Sequence, residues 1–379
     1  MKAKKWLVGW LVIVIAVLSY TGYWVYKVDP FFHYHKPLIN TYYYVLDGYN
    51  ERNVNDGISK QFDYDVIVTG TSMTENFRTT EVDELFKCKS IKVPFEGGTY
   101  KEINDNIERA LRHNKNIKLV IRGLDVLEGY ISASPDSMRT DLGEFPSYLY
   151  DDNPFNDVHY LLNKNVVFSR VYQMKIDRDK AGFKAGITSF DEYARWHEDF
   201  HYGRKTVAPN GIEVIVCDEN IQLSAEEKST IKENVEKNLI SVAEKNPNVD
   251  FYYFYAPYSI MFWNELNNTG KLHKNLQIQE YVAELLLPYE NIHLFSFFGC
   301  TGVITDLNNY KDYYHYAGWV NSSILKWMHD GDYQLTNDNY KDVFRELNDY
   351  YSSYDYKSID DQEDYVDDEY AEKILDESY

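Results

Sequence analysis

The chain has 379 residues, 44% of them hydrophobic, enough for one large domain or two small ones, and global disorder is excluded. A net charge of −21 argues against nucleic acid as a partner, since phosphate-backbone binding runs on lysine and arginine. The three cysteines, Cys88, Cys217 and Cys300, lie far apart and form no C-x-x-C; they read as small buried hydrophobes, although an exported chain could pair two of them.

Residues 6 to 26, WLVGWLVIVIAVLSYTGYWVY, carry no charge. A helix of that length reaches roughly 30 Å, the hydrocarbon thickness of a bilayer. Lys2, Lys4 and Lys5 precede it, which predicts a cytoplasmic N-terminus and an extracellular remainder. Tyr20, Tyr23, Trp24 and Tyr26 suit an interfacial aromatic belt, and they stand where a cleaved signal peptide would need small residues. Residues 1–27 are therefore expected to be an uncleaved single-pass anchor in the cell membrane. Residues 28–60 read as an irregular juxtamembrane segment; His33 and His35 lie in it with no third ligand nearby, so a structural role is expected.

From residue 61 strands and helices alternate. DYDVIVTG predicts a strand, TENFRTTEVDELF a helix, and KSIKVPF a second strand. TYKEINDNIERALRHN predicts a helix opened by a Thr99–Glu102 capping box, and NIKLVIRGLDVL a third strand. The rhythm breaks over 126–220, which reads as an insertion. It resumes with a helix capped by Ser224 and Glu227, a strand in VDFYYFYAPYS, a helix in LHKNLQIQEYVAELLLPY, a strand in NIHLFSFF and a last helix over about 317–329. Strict alternation predicts an α/β fold: a three-layer sandwich around a five-stranded parallel sheet, spanning 61–330. Residues 331–379 read as an acidic C-terminal tail, and its last part, 351–379, carries eleven acids against two lysines, a solvated composition.

Open parallel sheets bind ligands beyond the C-terminal ends of their strands. Ser72 follows the first strand, Gly97 and Gly98 the second, Gly123 and Asp125 the third, APYSIMFW the fourth, and Asp306, Asp312 and His315 the fifth. A serine needs an adjacent base, and the base needs an acceptor on its other ring nitrogen. The D-x-x-H spacing of Asp312 and His315 can supply both, while Gly97 or Gly98 lets backbone N–H groups approach an oxyanion. The competing reading of Ser72 is a helix cap, because Ser72 and Glu75 spell S-x-x-E. Glu198–His201 and Glu290–His293 are rival acid–histidine pairs, the first in the insertion and the second leading into a strand whose histidine is expected in the core. Tyr258, Trp263, Tyr314, Tyr316 and Trp319 are expected at the mouth, where aromatic faces would hold a sugar.

In GTSMTENF, PFEGG and DYYH the chain resembles the SGNH (GDSL-like) hydrolase superfamily, a flavodoxin-like fold with serine after strand one, an oxyanion glycine after strand two and D-x-x-H before the terminal helix. With its anchor it is more narrowly similar to the membrane-anchored proteins of teichoic-acid D-alanylation and envelope-polysaccharide acylation. The resemblance implies Ser72 as nucleophile, His315 as base and Asp312 as its partner. The superfamily's oxyanion glycine falls on Gly97 or Gly98; Tyr258 and Trp319 are expected as substrate contacts from the aromatic mouth, and no metal or organic cofactor is expected. The resemblance implies a polysaccharide or teichoic-acid-like substrate; anchoring beside the site where envelope polymers and acyl donors emerge adds the expectation of a multi-spanning membrane O-acyltransferase as companion. One departure stands out: RGLDVL occupies the place of the superfamily's Gly-x-Asn, and Asp125 cannot donate a hydrogen bond unless protonated. Asn76 is a further candidate donor. The alternative is a catalytically degenerate member that binds glycan or scaffolds an acylation complex.

Overall fold

A computed structural model of the protein describes residues 2–141, 143–196, 200–217 and 221–365. Helix α1, Lys2–Val28, is long and apolar enough to cross a membrane, and its most apolar window is only 6% buried. The next segment is not irregular throughout. Glu51–Gln61 forms helix α2, which turns Val54 and Ile58 into the core. Its polar residues are buried too, and distant partners satisfy them. Asn55 Nδ2 donates to Pro94 O (2.5 Å), Ser59 Oγ donates to Asn106 Oδ1 (3.0 Å), and Asp56 pairs with Arg109. An apolar period could not reveal such a helix.

Five strands then appear where expected: β1 (Val66–Gly70), β2 (Ser90–Pro94), β3 (Leu119–Leu124), β4 (Asp250–Tyr255) and β5 (Ile292–Ser296). They pair in parallel in the order β2-β1-β3-β4-β5. The sheet is not purely parallel, however. A sixth strand, β6 (Gln334–Leu335), adds antiparallel to β5 at the edge and makes it mixed. With two residues it is too short to show a sequence period. The chain runs outward from β1 to β2 and then returns to place β3 on the other side of β1. That reversal creates the crevice where such sheets bind ligands.

Helices cover both faces. Tyr252 meets Phe86 of α3 (Thr79–Phe86), which packs beside α8 (Gly318–Asp330). Tyr253 points the other way and donates to Leu239 O. Leu239 lies in α5, where Ala225–Val235, a π-helical Glu236–Ile240 and Ser241–Lys245 run on as one helix behind α4 (Tyr100–His113). Both predicted capping boxes, at Thr99 and Ser224, are formed. Helices α6 (Ile260–Asn268) and α7 (Leu272–Leu286) lead from β4 to β5. The predicted acidic tail is folded as far as residue 365. It supplies β6, α9 (Tyr340–Ser353) and a turn at Tyr356–Asp361, with Tyr351, Tyr356 and Ile359 buried. Tyr351 stacks on Trp263, centroids 4.0 Å apart. Residues 366–379 lie outside the described residues. Cys88, Cys217 and Cys300 form no disulfide.

Candidate active site

β1 leaves the sheet through Gly70, whose φ of +149° few side chains tolerate; a Cβ there would come within 2.6 Å of Thr74 Cγ2. The helix predicted from Thr74 starts later than expected: a single 3-10 turn, Ser72–Thr74, and a further turn at 75–76 come first, and α3 follows from Thr79. Ser72 is not a cap: Thr71 holds the cap position, and the Ser72 hydroxyl instead meets His315 Nε2 at 2.8 Å. His315 Nδ1 meets Asp312 Oδ2 at 2.8 Å. The other carboxylate oxygen, Asp312 Oδ1, accepts from the Tyr314 and His315 amides, each at 2.8 Å. Burial pushes the Asp312 carboxyl up, but the hydrogen bond and charge of His315, with those amides, outweigh it and hold the group below the ordinary aspartate range.

The serine turn is pinned from several sides. Thr71 Oγ1 donates to Asp125 Oδ2, and Tyr258 OH donates to Asp125 Oδ1 at 2.7 Å. Asp125 is therefore an acceptor beneath the turn, and burial raises its pKa although both hydrogen bonds pull it down. Met73 O accepts from Tyr316 OH and Asn321 Nδ2, both at 3.1 Å. Lys92, buried on β2, reaches Glu75 O and, at 2.9 Å, Phe77 O; burial lowers its pKa to about 7.

A cleft of about 480 Å³ opens onto Ser72 and His315. Its walls include Glu75, Glu96, Trp196, Phe200 and Lys311. Lys311 Nζ sits 3.7 Å from the ring centres of both Trp196 and Phe200, and Trp196 meets the His315 ring edge-on at 5.7 Å. These aromatics come from the insertion and were not anticipated. They lie more than a hundred residues from both Ser72 and His315, and no local pattern marks them.

The other expected contacts fall elsewhere. Tyr258 is fully buried under the site, and Trp319 is buried with Nε1 on Asn309 Oδ1 (2.8 Å), so neither lines the cleft. Trp263 and Tyr316 are core residues as well, and Tyr314 is half-buried. Gly98 N–H is spent on Phe95 O at 2.7 Å. Gly97, at φ +54°, gives its carbonyl to Arg139 Nη1 at 3.0 Å. Asn76 is buried and accepts from the Trp196 amide at 3.2 Å, outside the cleft lining. Of the rival pairs, Glu198 lies outside the described residues. His293 is half-exposed rather than in the core and pairs with Asp250 at 3.3 Å, not with Glu290. His33 pairs with Asp157 at 3.2 Å, and the His35 ring nitrogens lie 2.7 Å from Lys36 O and 3.0 Å from Tyr26 O.

Neither a family model nor a curated protein matches the sequence. Among solved structures the chain is similar to a protein from Streptococcus pneumonia named after platelet activating factor. The match has 12% identity and a TM-score of 0.38 over 74% of this chain and 91% of the other. So loose an overlap carries no argument about activity, and the reading that follows rests on the site.

Proposed function

We propose that the protein is a membrane-anchored, extracytoplasmic serine acyl-transfer enzyme, an esterase or acyltransferase. The observation that carries this reading is the unbroken relay from Ser72 Oγ through His315 to Asp312 at the mouth of a cleft. In the proposed cycle Ser72 Oγ attacks an ester carbonyl while His315 Nε2 takes its proton. Asp312 holds the imidazole in the required tautomer and offsets its charge. His315 then protonates the leaving alkoxide, an acyl-Ser72 remains, and water or a sugar hydroxyl releases the acyl group by the same route. A 3-10 turn leaves its first amides without partners inside the turn, so the Ser72 and Met73 N–H groups are the candidate oxyanion donors, with Gly97 N–H as a third.

The length and apolar composition of α1 support the anchor, and with its lysines on the cytoplasmic side, as this reading has it, the cleft would face the side where envelope polymers emerge. Anchoring raises the effective concentration of a membrane partner's acyl group towards millimolar, which favours transfer over hydrolysis. The proposed acceptor is a cell-envelope or exopolysaccharide glycan, teichoic-acid-like polymers included, and the proposed companion is a multi-spanning O-acyltransferase. One observation favours a silent glycan-binding or scaffolding protein instead: Asp125 and Gly98, at two expected oxyanion positions, donate nothing to the cleft. A fluorophosphonate probe on the purified full chain separates the two, because only an activated serine labels. An activated acyl ester, supplied with and without oligosaccharide, then separates transfer from hydrolysis. Transfer predicts slow turnover in water and acylated sugar when the acceptor is present. Fast hydrolysis that ignores the sugar leaves a surface esterase.

A further inference from the structure

The anchor does not hang on a loose tether. Its last turns pack against the insertion. A Cβ built on Gly22 would meet Leu161 Cβ at 3.8 Å, and Lys175 Nζ lies 3.5 Å from the Trp24 ring centre. Just past the helix, Tyr160 OH donates to Asp29 Oδ1 at 2.9 Å, and its ring stacks on Phe31. The insertion segments involved are Val158–Leu161 and the continuous helix made of Val166–Tyr172 and Gln173–Arg178.

Height along α1 fixes where these segments lie. At about 1.5 Å per residue the helix has climbed roughly 27 Å from Trp6 by the time it reaches Trp24. That is nearly the full hydrocarbon thickness of roughly 30 Å. Leu161 and Lys175 therefore meet α1 at the level of the outer membrane–water boundary. The helix of 166–178 has two faces. Val166 and Val171 are buried, whereas Phe168, Tyr172 and Ile176, spaced by four, are 66%, 58% and 38% exposed. Val158, 49% exposed, stands on the short helix that packs against α1, and Phe155, 90% exposed, lies three residues before it. Residues 164–184 carry six lysines and arginines against two aspartates in a chain of net charge −21. An exposed aromatic and aliphatic stripe, flanked by cations and level with the boundary, has the composition of an interfacial helix.

We propose that Phe155, Val158, Phe168, Tyr172 and Ile176 form a second membrane contact, seating the domain on the outer leaflet of the bilayer with the nearby cations on anionic headgroups. The inference rests on the reading of α1 as a membrane span, with which the stripe is continuous. It has a consequence for the site. Arg170, on the same helix, pairs with Asp47 at 3.5 Å, and Asp47 lines the cleft. The cleft rim is then held beside the membrane surface, where a lipid-borne acyl donor or a membrane partner would present its ester.

The test uses the full chain with Cys88→Ser and Cys217→Ser, the buried Cys300 retained, and an environment-sensitive fluorophore on a new cysteine. The labelled positions are Phe168→Cys, Ile13→Cys within α1 and Lys341→Cys on α9, which belongs to the β5–β6 side of the sheet, away from α2 and β2. The protein is reconstituted in phosphatidylcholine–phosphatidylglycerol vesicles holding lipids spin-labelled either near the headgroup or near the chain end. The seat predicts blue-shifted emission at 168, quenched more by the headgroup label, with the reverse order at 13 and no quenching at 341. A water-like, unquenched 168 beside a quenched 13 overturns the seat and leaves the anchor standing. Silence at both positions removes the anchor and the seat together. A blue shift at 168 without lipid quenching, growing with protein density in the vesicle, puts a second copy on the stripe and overturns the lipid assignment.

Discussion

The turns that leave β1 and β2 begin alike and end differently. The two strands are neighbours, with Gly70 opposite Pro94, and each turn carries a glycine and a hydroxyl–x–x–glutamate sequence. After β2 the motif is honoured locally. Glu102 N donates to Thr99 Oγ1 at 3.2 Å, Thr99 N donates back to Glu102 Oε2 at 3.4 Å, and α4 begins. After β1 the same motif is broken. The Ser72 hydroxyl goes to His315, 243 residues away, and Glu75 sinks its carboxyl beside Glu51. A capping box is worth on the order of 1 kcal/mol, so long-range partners easily override it. Where a strong local rule is set aside and the freed hydroxyl finds a base, function is the physical explanation to test first.

The sharpest way to break that contrast is to remove the hydroxyl. Ser72→Ala and His315→Ala are each expected to lower ester turnover by about 10⁶-fold, and the double variant by no more, since base and nucleophile act as a unit. The thermal melt of Ser72→Ala should stay close to wild type, because Ser72 caps nothing. A Ser72→Ala protein that keeps its turnover but loses about 1 kcal/mol of stability would return Ser72 to the role of Thr99. Asp312→Asn comes next, at about 10⁴-fold, since the amide can favour the wrong imidazole tautomer. The measurement is kcat on an activated ester; a loss of under tenfold would detach Asp312 from the relay.

How far this was legible in the sequence differs by element. β1 to β5 are short runs of β-branched and aromatic residues at strand spacing, and strand-exit positions then picked Ser72, Asp312 and His315 from all the serines, acids and histidines. α2 was missed because its buried face holds Asn55, Asp56 and Ser59, polar groups that pair with Pro94, Arg109 and Asn106, 39 to 53 residues away. The cleft aromatics failed for a related reason. A tyrosine or tryptophan reads the same whether buried or exposed, so Tyr258 and Trp319 were assigned to the mouth, while Trp196 and Phe200 take that place. Gly98 was read as a possible oxyanion glycine because a turn glycine looks alike whether its amide faces a ligand or, as here, the Phe95 carbonyl.

Glu75 sharpens the comparison through pH. Burial, then the charge of Glu96, push its carboxyl up to about 7, against the pull of His315 and Lys92. The folded chain thus binds a proton more tightly than the unfolded one. The stabilisation is full below the ordinary value of 4.5 and is lost as pH rises towards 7. Between those limits wild type should lose up to about 3 kcal/mol that Glu75→Gln does not lose. Glu51 is raised beside it, chiefly by burial and then by the Glu75 charge, so the variant relieves that group as well. Urea midpoints at both ends of the window measure the slope; equal slopes in the two proteins would mean that Glu75 is ionised throughout.

The smallest effects belong to the β2 turn, and they decide whether it is structural only. Thr99→Ala removes the honoured cap and should cost about 1 kcal/mol while leaving turnover within a few-fold. Gly97→Ala is the finer probe. Its φ of +54° costs an L-residue roughly 1–2 kcal/mol, and the new Cβ would land on the Arg139 guanidinium, a flexible group that can swing aside. If the turn only fastens α4, Gly97→Ala lowers the melt by that amount and fluorophosphonate labelling of Ser72 stays near the wild-type rate. If the Gly97 amide also faces the oxyanion, the backbone shift slows labelling by about 10²-fold or more, well beyond what the melt accounts for. The ratio of labelling loss to stability loss therefore reads out whether the two turns share one reaction or stand merely side by side.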